Sequence, residues 1–430
     1  MEKYASYKDS GIAWVGKIPS HWQRWRLKFT GKFCNGLTYS PADVKEEGVC
    51  VLRSSNIQNG ILCFEDDVYV ESSPQKLNVN VGDIIICSRN GSANLVGKCA
   101  IITEPINATF GAFMMRYRPS VCAKFAYYLF NTTYRQYRGL FATTTINQLT
   151  QTVVSMMDVP LPPLSEQESI ADWLDVKCGK IDDEIAKQRH RIELLEELKQ
   201  AIVTQAVTHG IDSDVKFKPS GISWLGDIPE HWNIKRMRFL VKITTGNKDT
   251  VNREDDGAYP FYVRSPKIER INSYAFDGEA VLMAGDGVGA GKVIHYANGK
   301  FDFHQRVYCF YDFKEIEAYW LFLYLKSNFI YKIEEGGAKN TVDSVRQPWL
   351  KDFPIAFPEI IEQQEIIAHV KKRVSKIDAR IAKVQVKIEL LQEYKQAIIT
   401  EVVTGHRCVV EHSEIAYEAE PAPYGIAAEP

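Results

Sequence analysis

The stretch AGDGVGAGKV, residues 284–293, comes nearest to a phosphate cradle in this sequence. A Walker loop aims backbone N–H groups and a lysine at phosphate, and needs four residues between its first glycine and its Gly-Lys, then Ser or Thr. Here Asp286 stands where that glycine belongs, and Val293 follows Lys292. The dinucleotide pattern is also incomplete, because no strand-helix unit of the required kind surrounds it. Its counterpart, SRNGSANLVGKC at residues 88–99, keeps only a turn and Gly97-Lys98. The stretch reads as a glycine turn between strands, with Lys98 and Lys292 placed to meet a DNA phosphate. A nucleotide-binding enzyme built on residues 284–293 is the weaker alternative.

Other candidates are polar rather than catalytic. His304, Gln305 and Arg306 sit in FDFHQRVYCF, amid strand-like residues. Three alternating strand residues, one of them buried and hydrogen-bonded, explain them simply. As functional groups they would touch DNA, since Gln pairs with adenine edges and Arg with guanine. His21 and His231 lie beside Trp22 and Trp232 without a second ligand, the pattern of packed histidines. No Cys, His and carboxylate set has metal spacing, and no Gly-x-Ser-x-Gly elbow occurs. Pro162-Pro163, flanked by Leu161 and Leu164, lacks the Asn or Asp and the aromatic residue that an adenine methyltransferase needs around its Pro-Pro. Catalysis within this chain finds no support.

The elements that position these residues come in pairs. Residues 8–22 read KDSGIAWVGKIPSHW and residues 218–232 read KPSGISWLGDIPEHW, the signature of tandem units. Glycine and proline make each lead-in extended and turn-rich. Basic, aromatic runs follow, QRWRLKFTGKF and IKRMRFLVKITTG, whose alternation suggests strands with one solvated positive face. VLRSSNI then matches YVRSPKI, pairing Arg53 with Arg264, and GDIIICSRNG matches GEAVLMAGDG, a buried run closed by a turn at Asn90-Gly91 or Asp286-Gly287. The shared Ala-Tyr-aromatic-Leu-Phe of residues 126–130 and 318–322 predicts an aromatic helix packed on each sheet. Polar loops, ATTTINQL and AKNTVDSV, lead to proline-flanked hydrophobics, with Pro163 and Pro358 at the entrances of two long helices and Ser165 as a cap.

In those helices apolar residues recur in steps of four and three, a coiled-coil seam. The first seam is Ile181, Ile185, Ile192, Leu195, Ile202 and Ala206, with Gln188 and Lys199 as polar members. The second is Ile377, Ile381, Val384, Ile388, Leu391, Ile398 and Val402, with Lys395. RIELLEELKQAIVT returns as KIELLQEYKQAIIT, so one unit is used twice. The polar seam residues are candidates for fixing register. The fold class is α+β: two pseudo-repeated α/β domains separated by two long helices that form an antiparallel coiled coil. A helix of about 40 residues spans roughly 60 Å, enough to separate two modules by about one turn of DNA.

The composition permits this. A chain of 430 residues, 45% hydrophobic and 11% aromatic, can fill several cores. No long apolar run or secretory leader is visible, which reads as cytoplasmic with no membrane. Nine scattered cysteines without a C-x-x-C pair argue against a disulfide scaffold or zinc ribbon. A net charge of −2 excludes a globally basic nucleic-acid binder but not a basic face.

The doubled Ile-Pro-x-His-Trp lead-ins, the two proline-flanked Glu-Gln helix starts and the Lys-Gln-Ala-Ile-x-Thr helix ends together resemble the specificity subunit of type I restriction-modification systems. The likeness runs from about Tyr7 to about His406. It implies a first target-recognition domain over residues 1–160, a central helix over 161–210, a second domain over 211–357 and a distal helix over 358–408. Residues 409–430, acidic and aperiodic, read as a disordered tail. It also implies that each domain reads one part of a bipartite double-stranded DNA site, and that the chain recruits two modification subunits and the restriction/motor subunits. S-adenosylmethionine, ATP and Mg are then expected on those partners, with no cofactor on this chain. Candidate DNA contacts are Arg53, Arg89, Asn90, Lys98, Asn147, Arg264, Lys292, His304, Gln305, Arg306, Lys339 and Asn340. Arg and Lys would anchor phosphate or read guanine, and Asn and Gln would read adenine. A purely structural adaptor that binds only protein is the alternative from another class.

Overall fold

A computed structural model describes residues 3–141, 148–335 and 344–409. Asn147, Lys339, Asn340 and the acidic tail beyond residue 409 lie outside them. The chain forms two compact units, residues 1–186 with 388–430, and residues 187–387. Each unit therefore runs across the linear segments, combining one globule with parts of both long helices.

The two units repeat one plan. In the first, an antiparallel core sheet runs in the order Cys99–Ile101, Ile84–Cys87, Met114–Pro119, Gly31–Asn35. In the second, Ile294–Ala297, Ala280–Ala284, Val307–Tyr311 and Lys242–Thr245 take the same places. The runs IIIC and AVLMA are buried along their whole length, as strands covered on both faces must be. The aromatic helices Ala123–Phe141 and Ala318–Glu335 lie on these sheets. Phe125, Leu129 and Phe130, and Trp320, Leu321 and Tyr324, are buried in their cores. A second sheet in each unit contains one parallel pair, Val49–Leu52 with Ala108–Phe110 or Tyr259–Tyr262 with Lys300–Phe303. Its remaining strands differ between units.

Each lead-in is a hairpin, Tyr7–Asp9 with Lys17–Pro19 and Phe217–Pro219 with Asp227–Pro229. It ends on a fully buried tryptophan, Trp22 or Trp232. The basic strands Gln23–Arg26 and Asn233–Arg236 pair with Asp158–Leu161 and Pro354–Phe357. The first strand keeps its cations on one solvated face, with Arg24 on Asp158, whereas in the second Lys235 and Arg236 are successive and point to opposite faces, onto Glu315 and Asp352.

The long helices span Leu164–His209 and Ile360–Val403. Ser165 is already inside the first turn, so it is not the cap; the Gln167 N–H donates to the Pro163 carbonyl at 3.0 Å. Within the first unit Arg407 lies over Trp173, while Lys395 pairs with Asp182 at 2.6 Å. Advancing along the central helix thus means retreating along the distal one, and the two are antiparallel. The second unit repeats this, with Lys199 on Asp378 at 2.7 Å and Gly210 near Glu362. The seam lysines are therefore cross-helix ion-pair donors. Ile181, Ile185, Ile377, Ile381, Val384, Ile398 and Val402 are buried, whereas Ile192, Leu195, Ile202, Ile388 and Leu391 are only half-buried.

Two residues at each helix start join the parts. Glu166 accepts from the Tyr4 hydroxyl, from His21 Nε2 at 2.8 Å and from Trp22 Nε1 at 3.1 Å. Glu362 accepts from His231 Nε2 at 2.7 Å and Trp232 Nε1 at 3.0 Å. The packed histidines of the lead-ins thus have a partner in each unit. Gln167 accepts from the Cys122 N–H and donates to the Pro162 carbonyl. Gln363 accepts from the Glu317 N–H and donates to the Glu315 and Pro358 carbonyls. The same cores take in the end of the other long helix, Ile398 to Val403 around Trp22 and Val203 to Val207 around Trp232. Gly405, at φ +73°, turns the chain there against Pro19, where a Cβ would come within 2.3 Å of the ring.

Candidate nucleic-acid interface

In the second unit the glycine stretch is a tight loop between two core-sheet strands. A Cβ at Gly289 would lie 2.6 Å from the Arg264 carbonyl oxygen, and one at Gly285 would lie 2.9 Å from that of Arg306. The glycines thus let the loop backbone close onto the two arginine backbones. That closure puts Asp286 between them. Arg264 Nη1 donates to Asp286 Oδ1 at 3.1 Å and Arg306 Nη1 to Oδ2 at 2.6 Å. The carboxylate side chain is 12% exposed, while the arginine side chains are 43% and 62% exposed. Further along the loop a Cβ at Gly291 would meet Phe329 and Ile333. Glycine here serves close packing, and a carboxylate already occupied by two cations is a poor floor for a phosphate cradle.

The His304-Gln305-Arg306 turn is built beside this loop. His304 is 1% exposed, so one member of the trio is buried as expected, but Gln305 and Arg306 form an exposed turn between two strands rather than alternating strand positions. Its Nδ1 accepts the Arg306 N–H at 2.9 Å, which assigns the proton to Nε2, 3.7 Å from Asp249. Burial first, then the Arg264 guanidinium, push this imidazole below its ordinary range, against the pull of Asp249 and Asp286. Gln305 is exposed and donates to Asp249 Oδ2 at 2.8 Å. His304 is therefore a support, and Gln305 and Arg306 are the surface groups. Lys292 is exposed on the same loop.

The first unit carries a different surface on the same backbone. Asn90 Nδ2 donates to Ser54 Oγ at 3.2 Å and Lys98 Nζ to the Ser54 carbonyl at 3.3 Å. Arg53 turns to Asp66 at 2.9 Å, and exposed Arg89 lies over the exposed Phe113 ring, 5.4 Å from its centroid. Backbone bonds fix the correspondence between units. Ser88 and Gly285 donate to the carbonyls of Phe113 and Arg306, and receive from Leu149 and Val345. Arg89 thus occupies the place of Asp286, one residue off the match of Asn90-Gly91 with Asp286-Gly287.

The Arg53 and Arg264 pairing shifts in the same way. The parallel pairs match Leu52 with Phe110 and Tyr262 with Phe303, and the N–H groups of Gly111 and His304 donate back to Leu52 and Tyr262. Counted from that register, Arg264 stands where Ser54 stands, and Arg53 corresponds to Val263. Sequence similarity aligned the arginines, whereas the ladder aligns backbones. Asp286, Asp249, Asp66, Ser54 and Phe113 were absent from the candidate residues. The one available signal was Asp286 itself, a carboxylate where a phosphate loop requires glycine.

Comparison with known proteins accords with this duplicated plan. The chain matches the family described as "Type I restriction modification DNA specificity domain" twice, over residues 19–196 and 229–392. It is 24% identical to the type I restriction enzyme StySPI specificity subunit of Salmonella potsdam, over 91% of this chain and 90% of that protein. It is 31% identical to the EcoDI specificity subunit of Escherichia coli, an alignment that spans 42% of this chain and only 39% of the relative. A solved chain from work on complex assembly and conformational transition of the type I R-M system superposes with a TM-score of 0.64, at 16% identity over 90% of this chain and 98% of that one. That last likeness is one of fold.

Proposed function

The chain belongs to the type I restriction-modification DNA specificity family, with two copies of its domain, and from that premise we propose that it is the subunit that reads a bipartite double-stranded DNA site. Each unit engages one part of the site through the surface of residues 53, 89, 90, 98 and 113, or 264, 292, 305 and 306, with Asp286 and His304 supporting the latter from beneath. The antiparallel helices fix the distance between the two parts, leaving a spacer that neither unit reads. The chain does no chemistry itself. It recruits two modification subunits, which carry S-adenosylmethionine and methylate adenine, and restriction/motor subunits that use ATP and Mg. The Asn147, Lys339 and Asn340 loops remain proposed DNA contacts. No helix among the described residues is long and apolar enough to cross a membrane, and the proposed site of action is the cytoplasm, where the DNA is.

The observation that carries this reading is one frame holding two different polar surfaces at one backbone address. An adaptor that binds only protein has no need of two dissimilar cationic faces on matched loops. The test is a salt-controlled shift assay with the purified chain and its modification subunit on duplexes from the host genome. Retention of a duplex with two separated sequence blocks, lost when either block is scrambled, is expected. Binding indifferent to sequence, or none, would favour the adaptor.

A further inference from the structure

The Arg264-Asp286-Arg306 triad is too ordered for a generic phosphate contact. Phosphate anchoring needs only positive charge within reach, and a mobile lysine supplies it. A carboxylate beneath the cations opposes that role, because it cancels one of two charges and repels the DNA backbone. Reading a base edge has the opposite requirement. Arginine recognises guanine by placing two N–H groups on O6 and N7 at once, which demands a guanidinium of fixed plane.

The second unit supplies that fixity from both ends of each side chain. The Arg306 N–H is held by His304 Nδ1 at 2.9 Å, and its carbonyl accepts from the Gly285 N–H at 2.8 Å. The Arg264 carbonyl is packed against Gly289. At the other end each guanidinium gives one Nη1–H to the nearly buried Asp286, and roughly half of each side chain stays exposed. The first unit has no acid at this address: Arg89 there rests on the Phe113 ring.

We infer that Arg264 and Arg306, held as a pair by Asp286, read guanine in the major groove of the DNA block engaged by the second unit. Asp286 is a positioning residue and makes no base contact of its own. This rests on the proposed DNA-reading function. Among the described residues of the first unit Arg89 lies on an aromatic ring, Asn90 and Lys98 are tied to Ser54, and Arg53 is alone on the exposed Asp66, so no acid at this address holds a pair of arginines.

The experiment uses the full chain with its modification subunits, and maps the methylated motif on a random duplex library for the parent and for Asp286→Asn. The parent's motif tests the underlying reading, because a motif without two separated blocks defeats that reading before any variant is made. Given two blocks, the expected result is a G·C pair in one block at which Asp286→Asn lowers discrimination at least about tenfold, with the other block unchanged. Two released arginines should also steepen the salt dependence of non-specific binding. Arg264→Lys and Arg306→Lys keep the charge but lose the fork. They should relax the same pair, and they replace Asp286→Asn if that variant melts early. Uniform weakening with the motif intact would assign the arginines to phosphate and overturn the inference. Relaxation only at A·T pairs, relaxation in both blocks, or two blocks without a G·C pair would also overturn it.

Discussion

Residues 89 and 113 in one unit and 286 and 306 in the other occupy the same two places just beyond the ends of the central core-sheet strands. In the first an arginine lies on a phenylalanine ring, and in the second an aspartate receives two arginines. The backbone bonds of Ser88 and Gly285 beneath them match. Surface chemistry has changed at that address without disturbing its support. The joints behave oppositely: Glu166 and Glu362, Gln167 and Gln363, and Trp22 and Trp232 keep their residue type, and in both units the glutamate takes the His and Trp N–H groups while the glutamine accepts a main-chain N–H. A pair of units built this way can change what it touches while keeping its assembly.

The joints differ in burial, and the largest expected effects test that. Glu166 is 8% exposed in its side chain and serves three donors, whereas Glu362 is 32% exposed and serves two. Glu166→Ala leaves buried donors unmet and should cost the first unit about 3 kcal/mol, against about 1 kcal/mol in the second unit for Glu362→Ala. Denaturant melts read by hydrogen exchange in each unit would measure both, and equal losses would remove the asymmetry. Next in size, Arg264→Ala should weaken DNA binding about tenfold while assembly with the modification subunit stays intact. Parent-like affinity in a salt-controlled assay would contradict the placement of Arg264.

Acidity should separate the surfaces as well. The imidazole of His304 titrates below its ordinary 6.5, so near and below that pH the unfolded chain binds a proton the folded one refuses. Stability then rises with pH across that window and is lost as pH falls through it. Charging Nδ1 also opposes the Arg306 N–H it accepts, with Arg264, Arg306, Asp249 and Asp286 as the charged neighbours. His295, likewise lowered by burial, acts with the same sign. Gly111 holds the place of His304 in the first unit. Lowering the pH from about 7.5 to about 5.5 should therefore reduce the melting temperature of the parent more than that of His304→Gln. Identical shifts would exclude His304 as the cause. The smallest effect is expected at the seam, where Lys199→Met or Lys395→Met removes an exposed cross-helix pair worth about 0.5 kcal/mol. A loss several times larger would mean that the lysines set the helix register.

The sequence disclosed what rests on period and repetition. Heptad steps located both long helices, the buried runs located the central strands, and the doubled Trp motif announced two units. It misled where pairing depends on backbone register. Arg53 and Arg264 look equivalent in VLRSSNI and YVRSPKI, but the parallel strand beside them sets a one-residue offset that letter similarity cannot carry. Side chains acting through another residue were hidden as well. Asp286 appeared only as a flaw in a phosphate loop, and the Glu-Gln helix starts looked like family marks. Their meaning lies in partners distant in sequence, such as Trp22 for Glu166 and Cys122 for Gln167.

The central claim is that two units read two separate blocks of DNA. Mapping methylated adenines in a genome with and without this chain tests it most directly. The result expected is one motif that depends on the chain, with two defined blocks separated by a spacer of fixed length and undefined sequence. A single contiguous motif, or a methylation pattern unchanged when the chain is removed, would contradict it.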